Sequence, residues 1–199
     1  MGNPDIKSAK IALRSEIRSK LRQLTASQWA DASEHICQSA APILEQSGNP
    51  ESFVSSFAAQ PGEVSLAALH DLLPHHSYVY PLCRPQRRLS FHLVANLGGL
   101  APGTLGILEP IAGKHQEVSV CDIDVFLCPG LAFGRDGSRL GHGGGYYDRA
   151  LAQRNSAAKL IGVCHSHQLM DTVPHEAHDV LMEGVITEEG YQSIDKIRS

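Results

Sequence analysis

Leu13, Ile17, Leu21 and Leu24 recur at three- and four-residue intervals, so the first segment is predicted to be an amphipathic helix. Lys10, Arg14 and Arg18 repeat every four residues on an adjoining face and give that helix a basic stripe. Thr25 or Ser27 is expected to cap a second helix, which runs to about Gln46 and is stopped by Gly48 and Pro50. The apolar and β-branched runs from Ser52 to Ala58, Tyr78 to Leu82 and Leu89 to Val94 predict strands, with a short helix from Glu63 to Leu73 between the first two. Ile123 to Cys128 and Leu160 to Cys164 are apolar almost throughout, the pattern of strands covered on both faces. A helix over Asp148 to Gln153 and a last strand over Val180 to Thr187 complete the pattern. Strands alternating with helices predict an α/β fold, a mostly parallel sheet covered on two sides. With no internal repeat, low-complexity tract or interdomain linker, residues 1–199 read as one domain.

Composition adds little until the charges are mapped. Hydrophobic residues make up 42% and charged residues 19%, which suits a soluble globular chain. The net charge of -4 hides an asymmetry, because Met1 to Leu24 carries Lys7, Lys10, Arg14, Arg18, Lys20 and Arg22 against Asp5 and Glu16. A nucleic-acid partner would call for a broad basic face, so a confined basic segment points to a small anion instead. The cysteines (Cys37, Cys83, Cys121, Cys128, Cys164) form no CxxC pair and read as reduced core residues. No stretch has the apolar length of a membrane span and the N-terminus lacks a secretory h-region, so a cytoplasmic protein with no membrane partner is expected.

The chemistry concentrates in Phe133-Gly-Arg-Asp-Gly-Ser-Arg-Leu-Gly-His-Gly-Gly-Gly-Tyr-Tyr-Asp-Arg149. Asp136-Gly137 signals a tight turn. Gly141, Gly143, Gly144 and Gly145 let backbone N–H groups approach a ligand without interference from Cβ, and the positive end of the following helix would favour an anion. Arg139 and Arg149 offer cationic forks and Asp148 a hard oxygen ligand, so a phosphate cradle with Mg²⁺ fits. The residues alone also allow a plain tight connection, because neither the GxGxxG nor the Walker pattern is met. Likewise, the basic stripe read alone is either a solvated face or a ligand grip.

Pro129-Gly-Leu-Ala-Phe133 followed by Arg139-Leu-Gly-His-Gly-Gly-Gly-Tyr-Tyr-Asp-Arg149 resembles the signature of the 5-formyltetrahydrofolate cyclo-ligase family. Lys10 and Arg14, Glu63-Val64, and Gly106-Ile-Leu-Glu-Pro110 extend the resemblance over essentially the whole chain. It implies a Rossmann-like three-layer α/β/α fold and an ATP-dependent ring closure of 5-formyltetrahydrofolate that releases ADP and phosphate. By the same resemblance, ATP contacts fall on Lys10, Arg14, Arg139, Leu140, Gly141, His142, Gly143, Gly144, Gly145, Tyr146 and Tyr147. Folate contacts fall on Glu63 and on His142 to Tyr146, catalysis on Arg139 and His142, and Mg²⁺ ligation on Asp148 and Asp179. A monomer acting on small molecules is expected. His142 departs from the family pattern, which more often has an aromatic residue or Arg there, and it makes a ligand-binding regulator without turnover the rival reading. A sugar-phosphate or acyl-transfer enzyme on a similar fold is a third.

Other residues get plainer readings. His165-x-His167 has the spacing to face two imidazoles one way, but no Cys or carboxylate is near in sequence. His175-Glu-Ala-His178 is one residue short of HExxH, and His75-His76 is expected in a solvent-facing turn. Trp29, Tyr80 and Phe91 read as packing residues, with Tyr80 the candidate for a pterin wall.

Overall fold

The computed structural model describes residues 4–46, 52–177 and 179–194, so the expected helix stops Gly48 and Pro50, and His178, lie outside the described residues. The elements are α1 (Pro4–Leu21), α2 (Ala26–Glu45), β1 (Phe53–Ser55), α3 (Leu69–Leu72), β2 (Ser77–Arg84), β3 (Arg88–Leu93), β4 (Ala101–Pro102), β5 (Leu108–Glu109), β6 (Glu117–Val118), β7 (Ile123–Cys128), β8 (Ala132–Gly134), β9 (Arg139–Leu140), α4 (Tyr146–Leu151), β10 (Lys159–Val163), β11 (Leu169–Met170), β12 (Gly184–Thr187) and β13 (Gly190–Ser193). α2 begins at a Thr25 cap, whose side chain accepts from the Gln28 amide while Gln28 reaches back to the Thr25 amide. That reciprocal pair satisfies two donors the first turn would leave open.

The main sheet has the order β13-β12-β10-β7-β1-β2-β3-β6. β12, β10, β7, β1 and β2 run parallel, and β13 and β3 are antiparallel additions to either side. Side-chain alternation along β7 makes the layers. Val125 and Leu127 join Ile36, Ala40 and Leu44 of α2 on one face, while Phe126 and Cys128 join Ala150 and Leu151 of α4 on the other. The result is the expected α/β/α sandwich. A third, smaller cluster docks Ile17 and Leu21 of α1 against Ala132 of β8 and Leu140 of β9.

Two expectations need correction. The helix expected over Glu63 to Leu73 is only α3, four residues long. Val64 and Leu66 are both buried in an extended segment, and the Ser65 amide donates to Ser33 Oγ of α2 at 2.9 Å, so tertiary contacts override a weak helical pattern. The last strand shortens to β12, and the antiparallel β13 was not foreseen. Asp136-Gly137 does form the tight turn, joining β8 to β9. Gly137 has φ +90°, and a Cβ there would sit 2.6 Å from the Met182 carbonyl oxygen, so the position needs glycine twice over.

Candidate active site

Renumbered among themselves, the parallel strands follow the order 2-1-3-4-5, which reverses between β1 and β7. In such sheets ligands sit beyond the carboxyl ends of the strands at that reversal. Segments leaving both strands meet there. The chain after β1 turns at Gly62 to present Glu63, and the β8–β9 hairpin after β7 runs into the glycine loop. His142 Nε2 lies 3.0 Å from Glu63 Oε1, and the Gln60 amide donates to Glu63 Oε2 at 2.9 Å. The Glu63 side chain is 9% exposed and that of His142 43%, so the carboxylate lies inside and the imidazole at the rim.

Arginines hold the glycine loop from two sides. Arg14 Nε of α1 donates to the Gly141 carbonyl at 2.9 Å, and Arg149 Nη1 donates to the carbonyls of Gly145 at 2.8 Å and Gly144 at 3.2 Å. With these carbonyls turned to the cations, the amides of residues 141–145 donate to no protein acceptor among the described residues. Gly143 has φ +105°, and a Cβ there would stand 3.5 Å from Arg14 Cζ. Burial pulls the Arg14 pKa down, Arg18 adds repulsion and Asp179 opposes both; the guanidinium nevertheless stays charged. Lys10 Nζ lies 2.6 Å from Asp179 Oδ2 and 3.5 Å from Glu176 Oε2. α4 is only six residues long, so its macrodipole adds less to anion binding here than the sequence suggested.

Beneath the loop, Arg139 is nearly enclosed, its side chain 4% exposed. Its Nη2 donates to Asp148 Oδ1 at 2.5 Å and its Nη1 to the Pro129 carbonyl at 3.3 Å, while its buried Nε has no partner among the described residues. Its Cζ lies 5.6 Å from the centre of the Tyr147 ring, a cation–π distance. The Tyr147 hydroxyl is also buried without a partner among the described residues. Burial, then Cys128 and Glu63, raise its pKa well above the usual phenol value against Arg139. Asp148 and Asp179 offer hard carboxylate oxygens near the cradle, the kind of donor that could hold Mg²⁺, an ion that takes one or two carboxylates and completes its shell with phosphate and water. Each already neutralises a cation, Arg139 and Lys10 respectively.

A profile of the 5-formyltetrahydrofolate cyclo-ligase family matches residues 6–188. The chain belongs to that family. A 5-formyltetrahydrofolate cyclo-ligase of Haemophilus influenzae is 30% identical over 173 residues, covering 84% of this chain and 91% of that protein. The Mycolicibacterium smegmatis protein of the same name is 40% identical over 95 residues, which span 45% of this chain and 49% of the relative. The solved 5,10-methenyltetrahydrofolate synthetase of Aquifex aeolicus superposes with a TM-score of 0.78 at 29% identity, covering 96% of this chain and 95% of that one.

The fold gathers most of the residues that the cyclo-ligase resemblance singled out. Lys10 pairs with Asp179, Arg14 one turn on holds Gly141 and feels the Asp179 charge, and Glu63 and His142 pair across the loop. Leu140 is buried in the α1 cluster, so only its backbone can face a ligand. Tyr146 is half-buried, its ring packed over Gly144. Tyr80 is buried against His70 and Tyr78, and so serves as packing and not as a pterin wall. His76 is buried beside Ser52 and does not face solvent; only His75 does. Cys121 is exposed, unlike its buried counterparts Cys37, Cys128 and Cys164, and all the cysteines are free. Burial pushes the Cys128 thiol up to about 12, so it is no nucleophile at neutral pH. Glu176 was missed, because nothing in its local sequence signals that the fold will set it beside Lys10. A groove of about 970 Å³ lies elsewhere, between β3, β6 and α4. Arg149 lines it, but the Glu63–His142 pair and α1 do not.

Proposed function

We propose that the chain uses ATP and Mg²⁺ to close 5-formyltetrahydrofolate into 5,10-methenyltetrahydrofolate, releasing ADP and phosphate, and that it does so as a single domain and a monomer. The bond from Arg14 to the Gly141 carbonyl carries the reading, because it sets a basic helix face on a loop of open amides. Those amides, with Lys10 and Arg14, suit the phosphate oxygens, and Glu63 with His142 suits the folate ring beside them. Asp148 and Asp179 would hold Mg²⁺, whose charge would neutralise the phosphates.

An N-formyl oxygen is a poor leaving group. In the proposed course that oxygen attacks the γ-phosphorus and ADP departs. N10 then attacks the formyl carbon and gives up its proton, and inorganic phosphate leaves. The protein's share is positioning and charge stabilisation; no side chain acts as a covalent nucleophile. Arg139 would hold Asp148 in place from below, and His142, beside Glu63, would act where phosphate and formyl group meet. Mixing the protein with ATP, Mg²⁺ and 5-formyltetrahydrofolate should produce the near-ultraviolet band of the methenyl product. No band, or a band that forms equally without ATP, refutes the proposal.

A further inference from the structure

A second constellation stands apart from the glycine loop. β10 and β12 are adjacent and parallel, so the segments leaving them emerge together, and His165, His167 and Glu188 converge. One ligand atom from each lies within 4.8 Å of the others. His165 Nδ1 is 3.1 Å from His167 Nδ1 and 3.1 Å from Glu188 Oε1. The carboxylate that the His165-x-His167 spacing lacked in sequence is supplied by the fold.

Hydrogen bonding accounts for only part of this approach. His165 Nδ1 accepts the His167 backbone amide at 3.2 Å, and a ring nitrogen that accepts carries no proton to give Glu188. Glu188 Oε1 thus lies 3.1 Å from an unprotonated ring nitrogen, with the second imidazole nitrogen also 3.1 Å away. Three possible ligand atoms gathered this closely are what a cation can bridge. Ligands at zinc's usual bond lengths stand about 3.3 Å apart in a tetrahedral shell, close to the spacings found.

The surroundings hold the ligands as a built site would. Ser166 donates to Glu188 twice, from its amide to Oε2 at 2.9 Å and from its hydroxyl to Oε1 at 2.5 Å. His165 is buried with Trp29 edge-on at 5.6 Å, and its amide donates to Gln168 Oε1 at 2.9 Å. His167 is exposed, which leaves one side open to water. Glu188 also lines a shallow pocket of about 280 Å³ with His35, Ser39 and Gly190, a path of entry for an ion.

We propose that His165, His167 and Glu188 bind a first-row transition-metal ion, Zn²⁺ or Co²⁺, through two imidazoles and a carboxylate. Such a donor set favours these ions over Mg²⁺. The bound ion would tie the β10 end to the β12 end beside α1, against which the Ser166–Gln168 turn packs.

The test is titration of chelator-treated full-length protein with Zn²⁺ against a chromophoric competitor, with excess Mg²⁺ present. One equivalent should bind, and at a free concentration of 100 Kd the melting temperature should rise by roughly 5 to 10 °C. His167→Ala, at an exposed position, and Glu188→Gln should each weaken binding at least tenfold, while Asp148→Asn keeps it. Absence of binding in the parent protein overturns the proposal. So does unchanged affinity in His167→Ala, which would assign the ion to other histidines.

Discussion

His142 on the glycine loop touches Glu63 on the segment after β1, 3.0 Å apart, and so closes the crevice where the strand order reverses. Glu63 also fixes its own turn through the Gln60 amide, so its carboxylate is held in place before any substrate arrives. Glu63→Gln keeps the shape and removes the charge. The KM for 5-formyltetrahydrofolate should rise about tenfold or more, as for loss of a hydrogen bond to a charged group, with the KM for ATP nearly unchanged. Steady-state kinetics with each substrate varied would check this; an equal change in both would remove Glu63 from the folate side.

Asp148→Asn should cut turnover by at least about a hundredfold, because it withdraws a ligand charge from the metal and a counter-charge from Arg139. Circular dichroism should show the fold retained, with a lowered melting temperature. Turnover equal to the parent's at saturating Mg²⁺ would remove Asp148 from the metal site.

Lys10→Ala and Arg14→Ala should each weaken ATP more than folate, by on the order of 1.5 to 3 kcal/mol for every charge-assisted hydrogen bond to phosphate that is removed. Both side chains are partly buried, Lys10 against Asp179 and Glu176 and Arg14 against Gly141, so solvent screening will soften the effect in part. Calorimetric titration of ATP and of folate separates the two affinities.

Acid should weaken the fold partly through His70. Burial pulls its pKa below the ordinary value, against the Ala95 backbone and Asp71, while its Nε2 lies 3.0 Å from the Tyr80 hydroxyl. A depressed histidine pKa means the unfolded chain takes up the proton first. Its stabilisation is therefore present above the usual imidazole pKa of about 6.5 and is lost as the pH falls from there through the lower folded value. His70→Gln should flatten the dependence of melting temperature on pH between neutrality and pH 5 relative to the parent. An unaltered slope would refute this assignment.

Much of the fold was legible because its signals are local. β7 was bounded by its own apolar run, and the Thr25–Gln28 capping box wrote the start of α2 into adjacent residues. The candidate site was half legible: the glycine loop is contiguous, and the basic stripe repeats with the helical period. Partners drawn from distant segments were not. Glu176 beside Lys10, Glu188 beside His165 and His142 beside Glu63 depend on strand order, which no single window of sequence contains. The Glu63 to Leu73 segment misled for the same reason, since Ser33 and the core hold it extended from outside.

α1 is anchored through a small cluster of its own, on the hairpin, and contributes nothing to the two large cores flanking the sheet. Half of the proposed nucleotide grip thus rides on a strap that meets the sandwich only at its margin, through Trp29 of α2 and the Ser166–Gln168 turn. Loosening α1 should therefore lower the proposed affinity for a nucleotide more than it lowers resistance to denaturation, which leaves the two open to separate tuning.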